Sequence, residues 1–352
     1  QEWFGGDTDT MSYKLGSAIG SMAALGGAST AIPAWALQEN LRVHTGSPGQ
    51  STFAFTTTMQ TIVQRETPIR MNVTSGQTST RSTLDAANGA VDLFISSPAI
   101  NYYMKEGIQM YEGMANAPEL FKNVRQIVNF PLGPYHILTY ADSGIETLED
   151  CRGRRIFIGP PGGAATTVGL AIMESATGMK PGDYEQAKLD WTSGQQAFQD
   201  RQVDLAIIPT ELPSATIMQY ALLGKIKLLT VPEEAKTRGP LQAMLNIPGR
   251  TITEIPAGIY GENQVNEETV EAVGSWVGIG THAGGDAETI YAVTKAMFEN
   301  LDDMHAGAEW MSFFTPETAL LQLNAPVHIG AYRWYKENGV EVPAQYVPPE
   351  AS

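Results

Sequence analysis

The sequence predicts an α/β fold of two lobes with a ligand cleft between them, and three observations carry that expectation. Residues 155–158 form a short apolar strand that runs through a glycine turn at 159–163 into a helix opening with Ala164, Ala165, Thr166 and Thr167. The same construction recurs twice: a strand-like 41–45 leads through 46–52 into a helical run, and a strand-like 69–73 leads through 74–80 into another. An internal echo completes the pattern. Ser75-Gly76-Gln77 is followed by a helix and Val91-Asp92-Leu93, and Ser193-Gly194-Gln195 by a shorter helix and Val203-Asp204-Leu205. Repeated strand-loop-helix-strand phrases imply paired halves. In open α/β sheets ligands sit at the carboxyl edge of the strands, where these loops emerge.

The elements follow in chain order. Residues 1–39 stand apart: 15–38 carry no charge and are rich in Ala, Gly and Ser, with Lys14 before them and Ala34-Trp35-Ala36 near the end. Those are the parts of a secretory signal, and they suit equally an N-terminal arm of an exported protein; the run is low in Leu, Ile and Phe for a membrane span. Residues 40–138 then make a first lobe, 139–249 a second, and 250–352 return to the first. The two crossings, at 134–140 and 274–279, read as extended connections able to absorb a hinge motion. Helix 287–301 places Ile290, Val293, Met297 and Leu301 at core-packing intervals, and the proline-rich tail 342–349 reads as extended.

Composition narrows the function. The chain has 352 residues, 43% hydrophobic and 17% charged, which is long enough for two cores. A formal net charge of −16 repels phosphate backbones, so no nucleic-acid partner is expected. Any anion site must be built locally, against that field. Cys151 is the sole cysteine and reads as structural, and the five histidines show no metal spacing, so no metal is expected. No cofactor is expected either. The glycines of 278–284 are wrongly spaced for a dinucleotide loop, and no phosphate-loop lysine follows Gly163. With no nucleophile-elbow serine, the chain reads as a binder rather than an enzyme.

The chain resembles the TAXI family of extracytoplasmic solute receptors, which serve tripartite (TRAP) transporters. The likeness runs from about 41 to 339. It is carried by 45–53, by the 74–79 loop, by Ala141-Asp142-Ser143-Gly144-Ile145 with Gly153-Arg154-Arg155, and by Gly159-Pro160-Pro161-Gly162-Gly163. Ile255-Pro256-Ala257-Gly258-Ile259-Tyr260, 291–300 and His328-Ile329-Gly330-Ala331-Tyr332-Arg333-Trp334-Tyr335 extend it. The resemblance implies a periplasmic binding protein of the two-lobed, type II-like kind. Such a protein closes on a small carboxylate (a dicarboxylate, a 2-oxo acid or an acidic amino acid) and delivers it to the TRAP membrane subunits. A role in sensing, or as a subunit of a larger extracytoplasmic assembly, is the alternative. Two departures bear on the ligand: Thr52-Phe53 replaces an adjacent tyrosine pair, and Ser82 stands where the family often has Asn.

Position in the pattern nominates the ligand-binding residues. From the first two loops come Ser47, Gln50, Phe53, Thr78, Ser79 and Arg81, the last being the only cation within the three loops and able to grip a carboxylate bidentately. Gly162, Gly163, Ala164 and Thr166 supply the third, through helix-terminal amides and a hydroxyl. Ser97, Pro209 and Glu211 follow the two echoed strands; Glu211 would accept an ammonium group. Tyr260 and Trp276 are candidates to cap the cleft.

Overall fold

A computed structural model describes residues 37–351 of the chain. The arm or signal reading therefore falls, for residues 1–36, outside the described residues.

The first half alternates strand and helix as the periodicity requires: β1 (Asn40–His44), α1 (Ser51–Glu66), β2 (Arg70–Thr74), α2 (Ser79–Ala87), β3 (Leu93–Ser96), α3 (Pro98–Glu106) and the short α4 (Ala117–Phe121). β1 lies between β2 and β3, parallel to both. β4 (Val124–Tyr140) then runs out of this half into the next. There follow β5 (Arg155–Phe157), α5 (Ala164–Thr177), β6 (Glu185–Gln186), α6 (Trp191–Gln199), β7 (Leu205–Pro209), α7 (Ala215–Leu223) and β8 (Ile226–Leu228). Short helices α8 (Glu233–Lys236) and α9 (Gly239–Leu245) precede β9 (Arg250–Ile255) and the long β10 (Val270–His282). α10 (Ala287–Glu299), α11 (Leu301–Ala306) and α12 (Ile329–Glu337) close the chain.

Two sheets share β4. Its first stretch pairs antiparallel with β10, which also flanks β3, while residues 135–139 pair antiparallel with β7, itself parallel to β5. The strand order is β2-β1-β3-β10-β4-β7-β5-β6, a mixed sheet that changes partners along one continuous strand. Burial follows the same division. Val43, Phe55, Val128, Phe130, Val277 and Met297 lie in one core, and Ile156, Val168, Ile172 and Ile207 in another. Both faces of β3 and β7 are buried, which is why these strands read as unbroken apolar runs rather than alternating ones.

Three expectations change. Ile255, Tyr260, Val270 and Ala272, placed by sequence with the first lobe, pack in a cluster with Phe157, Phe198 and Tyr220 of the second half. The echo is not a structural equivalence, since Ser75-Gly76-Gln77 lies in a loop whereas Ser193-Gly194-Gln195 is inside α6. The glycine there has a different reason: a Cβ on Gly194 would sit 2.2 Å from Phe157 Cζ, so its absence lets the ring pack beneath the helix. The proline-rich tail is not extended throughout; 3-10 turns form at Ala344–Tyr346 and Pro349–Ala351, and Glu350 pairs with Arg125 at 2.6 Å. Cys151 is fully buried and burial pushes its thiol up to about 12, which fits the structural reading.

Two buried histidines are fixed as neutral rings. His328 Nδ1 accepts from the Gly330 amide at 3.1 Å while its Nε2 faces the Gly285 carbonyl, also at 3.1 Å. His136 has the Pro134 carbonyl 3.1 Å from Nδ1 and the Tyr260 hydroxyl 2.5 Å from Nε2. Each ring donates from one nitrogen and accepts at the other, and burial pushes both down from 6.5 to about 4. The unfolded chain takes up these protons near pH 6.5 and the folded chain near 4. Their contribution is therefore complete above pH 6.5 and is lost as the pH falls towards 4, at up to about 1.4 kcal/mol per pH unit for each ring. Urea midpoints should fall steeply between pH 6.5 and 4.5. A flat profile over that interval would contradict the buried neutral rings.

Candidate functional site

A cleft of about 110 Å³ opens where the two halves meet. From the first half it is lined by Gly46, Gln50 and Thr52 at the start of α1, by residues 77–80 at the start of α2, and by Ser97 ahead of α3. The second half contributes Pro160 and residues 163–165 at the start of α5, Trp191 at the start of α6, and Pro209 at the end of β7. Apolar side chains of Ile95, Leu132 and Val277 form part of the wall. Helix after helix thus presents its amino end to one space. The first-turn amides of a helix have no intrahelical acceptor and carry the positive end of its dipole. α1, α3 and α5 have no side-chain cap, and none of α1, α2, α3 and α5 has an acidic residue in its first turn.

Arg250 stands among these ends. It opens β9, lines the cleft, and is only 6% exposed. Its Nη1 donates to the Ser275 hydroxyl and, at 3.5 Å, to the Tyr135 hydroxyl. Nε and Nη2 are buried without a hydrogen-bond partner. The guanidinium also lies 5.7 Å from the Tyr135 ring centroid, and near the buried phenol of Tyr103, which burial pushes up while Arg250 opposes the shift. Among the described residues no carboxylate pairs with it. Arg125 differs in having a counter-ion: that side chain is equally buried, at 5%, and its Nε also has no partner, but Glu350 neutralises its charge and two backbone carbonyls receive Nη1. A buried charge without a counter-ion is costly, so the two unused donors of Arg250 are able to receive an anion.

Of the residues nominated from sequence, Gln50, Thr78, Ser79, Ser97, Gly163, Ala164 and Pro209 line this cleft. The rest do not. Arg81 projects outward, its side chain 71% exposed and paired with Asp85 at 2.9 Å as a surface i,i+4 pair. Ser47 gives its amide to Gln50 Oε1 at 2.8 Å, and the Thr166 hydroxyl is held by the Pro160 carbonyl at 2.5 Å. The amides at Gly76 and Gln77 are spent on the carbonyls of Gly46 and Thr45, stitching the first two loops together. Gly162 is exposed and does not line the cleft. Phe53 is half-buried beside the cleft-lining Thr52 but does not itself line the space. Tyr260 is buried against His136, Glu211 accepts from the Thr210 hydroxyl at 2.6 Å, and Trp276 packs edge-on against Phe313.

The sequence matches the NMT1-like family over residues 43–339, most of its length and nearly all of the described fold. The chain belongs to that family. Solved structures similar to it include the periplasmic aliphatic sulphonate-binding protein of Escherichia coli, at 13% identity and a TM-score of 0.42 over 86% of this chain and 89% of that one. A TRAP periplasmic solute-binding protein of a Sulfitobacter species, with bound β-D-galacturonate, has 11% identity and a TM-score of 0.44 over 86% and 87%. A TRAP solute-binding protein of Ralstonia eutropha, holding (S)-2-acetolactate, has 11% identity and a TM-score of 0.42 over 87% of each chain.

In this NMT1-like chain the lining residues not nominated from sequence include Thr52, Gln77, Thr80 and Trp191 at helix starts and, brought in by β4, β9 and β10, the three polar residues Tyr135, Arg250 and Ser275. These last three belong to no strand-loop-helix phrase. The available signal was register: β9 and β10 pair antiparallel with Ser275 opposite Arg250, and β10 pairs β4 with Ser275 opposite Gly133, two residues before Tyr135. Among the described residues no helix is long and apolar enough to cross a membrane, and no group of three or more metal-ligating side chains is gathered.

Proposed function

We propose that this chain is an extracytoplasmic solute-binding protein of the TAXI kind, which captures a small carboxylate between its halves and hands it to the membrane subunits of a TRAP transporter. The single observation that carries the reading is Arg250, a guanidinium buried in the cleft with two nitrogens unbonded. Uncapped helix ends around it supply further positive potential and amide donors. The family membership and the TAXI-like motifs agree with it, and among the described residues the cleft lining contains no His, Cys, Asp, Glu or Lys. Two lobes, the second comprising 139–249 together with the 250–273 segment packed on it, would close about the crossings in β4 and β10.

Thermal-shift measurements across a panel of small carboxylates test this directly. A ligand present at about a hundred times its Kd should stabilise the protein by about 2.7 kcal/mol and be recovered chemically unchanged. If no small organic anion raises the melting temperature, the receptor reading is wrong.

A further inference from the structure

We propose that the solute is a small organic anion with one carboxylate, one or more hydroxyl or oxo oxygens, and no ammonium group: a 2-hydroxy or 2-oxo monocarboxylate. This deepens the receptor reading and rests on it. The lining contains one cation, Arg250, and no Asp, Glu or Lys among the described residues. Glu211, which could have received an ammonium group, is turned to Thr210 and does not line the cleft. Asp85 and His44 lie 4.0 Å from each other outside it. An ammonium placed here would meet only a guanidinium and the positive ends of helices, with no carboxylate to receive it. Amino acids are thereby disfavoured, including the acidic ones that the motif resemblance suggests.

The count of charges also limits the anion. One guanidinium pairs bidentately with one carboxylate, and a second carboxylate would be buried without a cation in a protein of net charge −16. Helix ends, each worth about half a charge, suit the lone pairs of an oxo or hydroxyl oxygen better than a second full charge. Size points the same way: a cleft of about 110 Å³ is smaller than the ~150 Å³ cavity that accommodates the six carbons of benzene, which favours the smallest organic anions. The Ile95, Leu132 and Val277 wall leaves a dry surface for a short alkyl group.

Isothermal titration of the whole protein with an isosteric series tests the class: lactate, pyruvate and 2-hydroxybutyrate against alanine, 2-aminobutyrate, malate and glutamate. The first three should bind at least about a hundredfold more tightly than their amino counterparts, because a buried ammonium without an acceptor forfeits its solvation. Equal or tighter binding of alanine, glutamate or malate would overturn this inference while leaving a receptor in place. Failure of every compound to bind would remove the receptor reading and this inference together. As a second arm, Gln77→Glu sets a carboxylate at the cleft lining; lactate should weaken about tenfold and alanine should gain. Unchanged affinities for both would show that the charge of the lining does not select the solute, and would overturn the inference.

Discussion

Replacing Arg250 with methionine is expected to abolish anion binding while leaving the ligand-free protein as stable as before, or more so. Truncating one partner of a buried, hydrogen-bonded charge pair costs about 2–5 kcal/mol, which is roughly thirtyfold to several thousandfold in Kd. The stability half of the expectation has a separate cause. The guanidinium is buried with Nε and Nη2 unbonded, so removing it deletes a desolvation penalty at the cost of its contacts to Ser275, Tyr135 and the Tyr103 phenol. A residue serving only the fold would behave in the opposite way, lowering the melting temperature and sparing affinity. Arg250→Lys keeps the charge but not the planar fork, and should retain part of the binding, weaker by about tenfold. Melting curves and titrations on the same preparations decide it; a methionine variant with undiminished ligand affinity would take Arg250 out of the site.

How far the sequence exposes this arrangement depends on the range of the interaction involved. Strands and helices were legible because their signals are local: the apolar run 155–158, the loop at 46–52 and the hydroxyl-rich openings of α1 and α2 each reveal themselves within about ten residues. The same locality made the loop residues at Gln50, Thr78, Ser79, Gly163 and Ala164 readable as cleft lining. Arg81 sits in the right loop but on a face turned away from the cleft. Its neighbour one helical turn on, Asp85, satisfies it in solvent, and nothing in the loop motif encodes that rotation. Arg250 was invisible for the converse reason. Its burial depends on Tyr135 and Ser275, which lie 115 and 25 residues away, and on a register between three strands that no short window contains. The Ser-Gly-Gln echo shows the limit of letter matching, since one copy turns a loop and the other makes room for a phenylalanine ring.

The second large effect concerns the crossing itself. Gly133→Ala should destabilise the fold by about 3–5 kcal/mol, from two contributions that add. Gly133 has φ +107, a region L side chains rarely occupy. A Cβ there would lie 2.0 Å from the Thr210 carbonyl oxygen and 2.9 Å from Glu211 Cα, both backbone, so neither can rotate away. The close approach is built by the sheet: Tyr135 pairs with Pro209, and the Thr210 amide donates to the Pro134 carbonyl at 3.3 Å, drawing the end of β7 onto β4 where β4 passes from one half to the other. Pro209 lines the cleft, so displacing this segment should also weaken ligand binding, unlike a substitution that strains the backbone elsewhere. Gly153→Ala is the control, because Gly153 has φ +72 with nothing within 4 Å of its Cβ position, and it should cost about 1 kcal/mol with affinity intact. Denaturant midpoints for the two variants separate dihedral strain from the steric term. If Gly133→Ala proves as mild as Gly153→Ala, then β4 and β7 do not meet as closely as the crossing requires, and the geometry of the cleft edge at Pro209 would have to be redrawn.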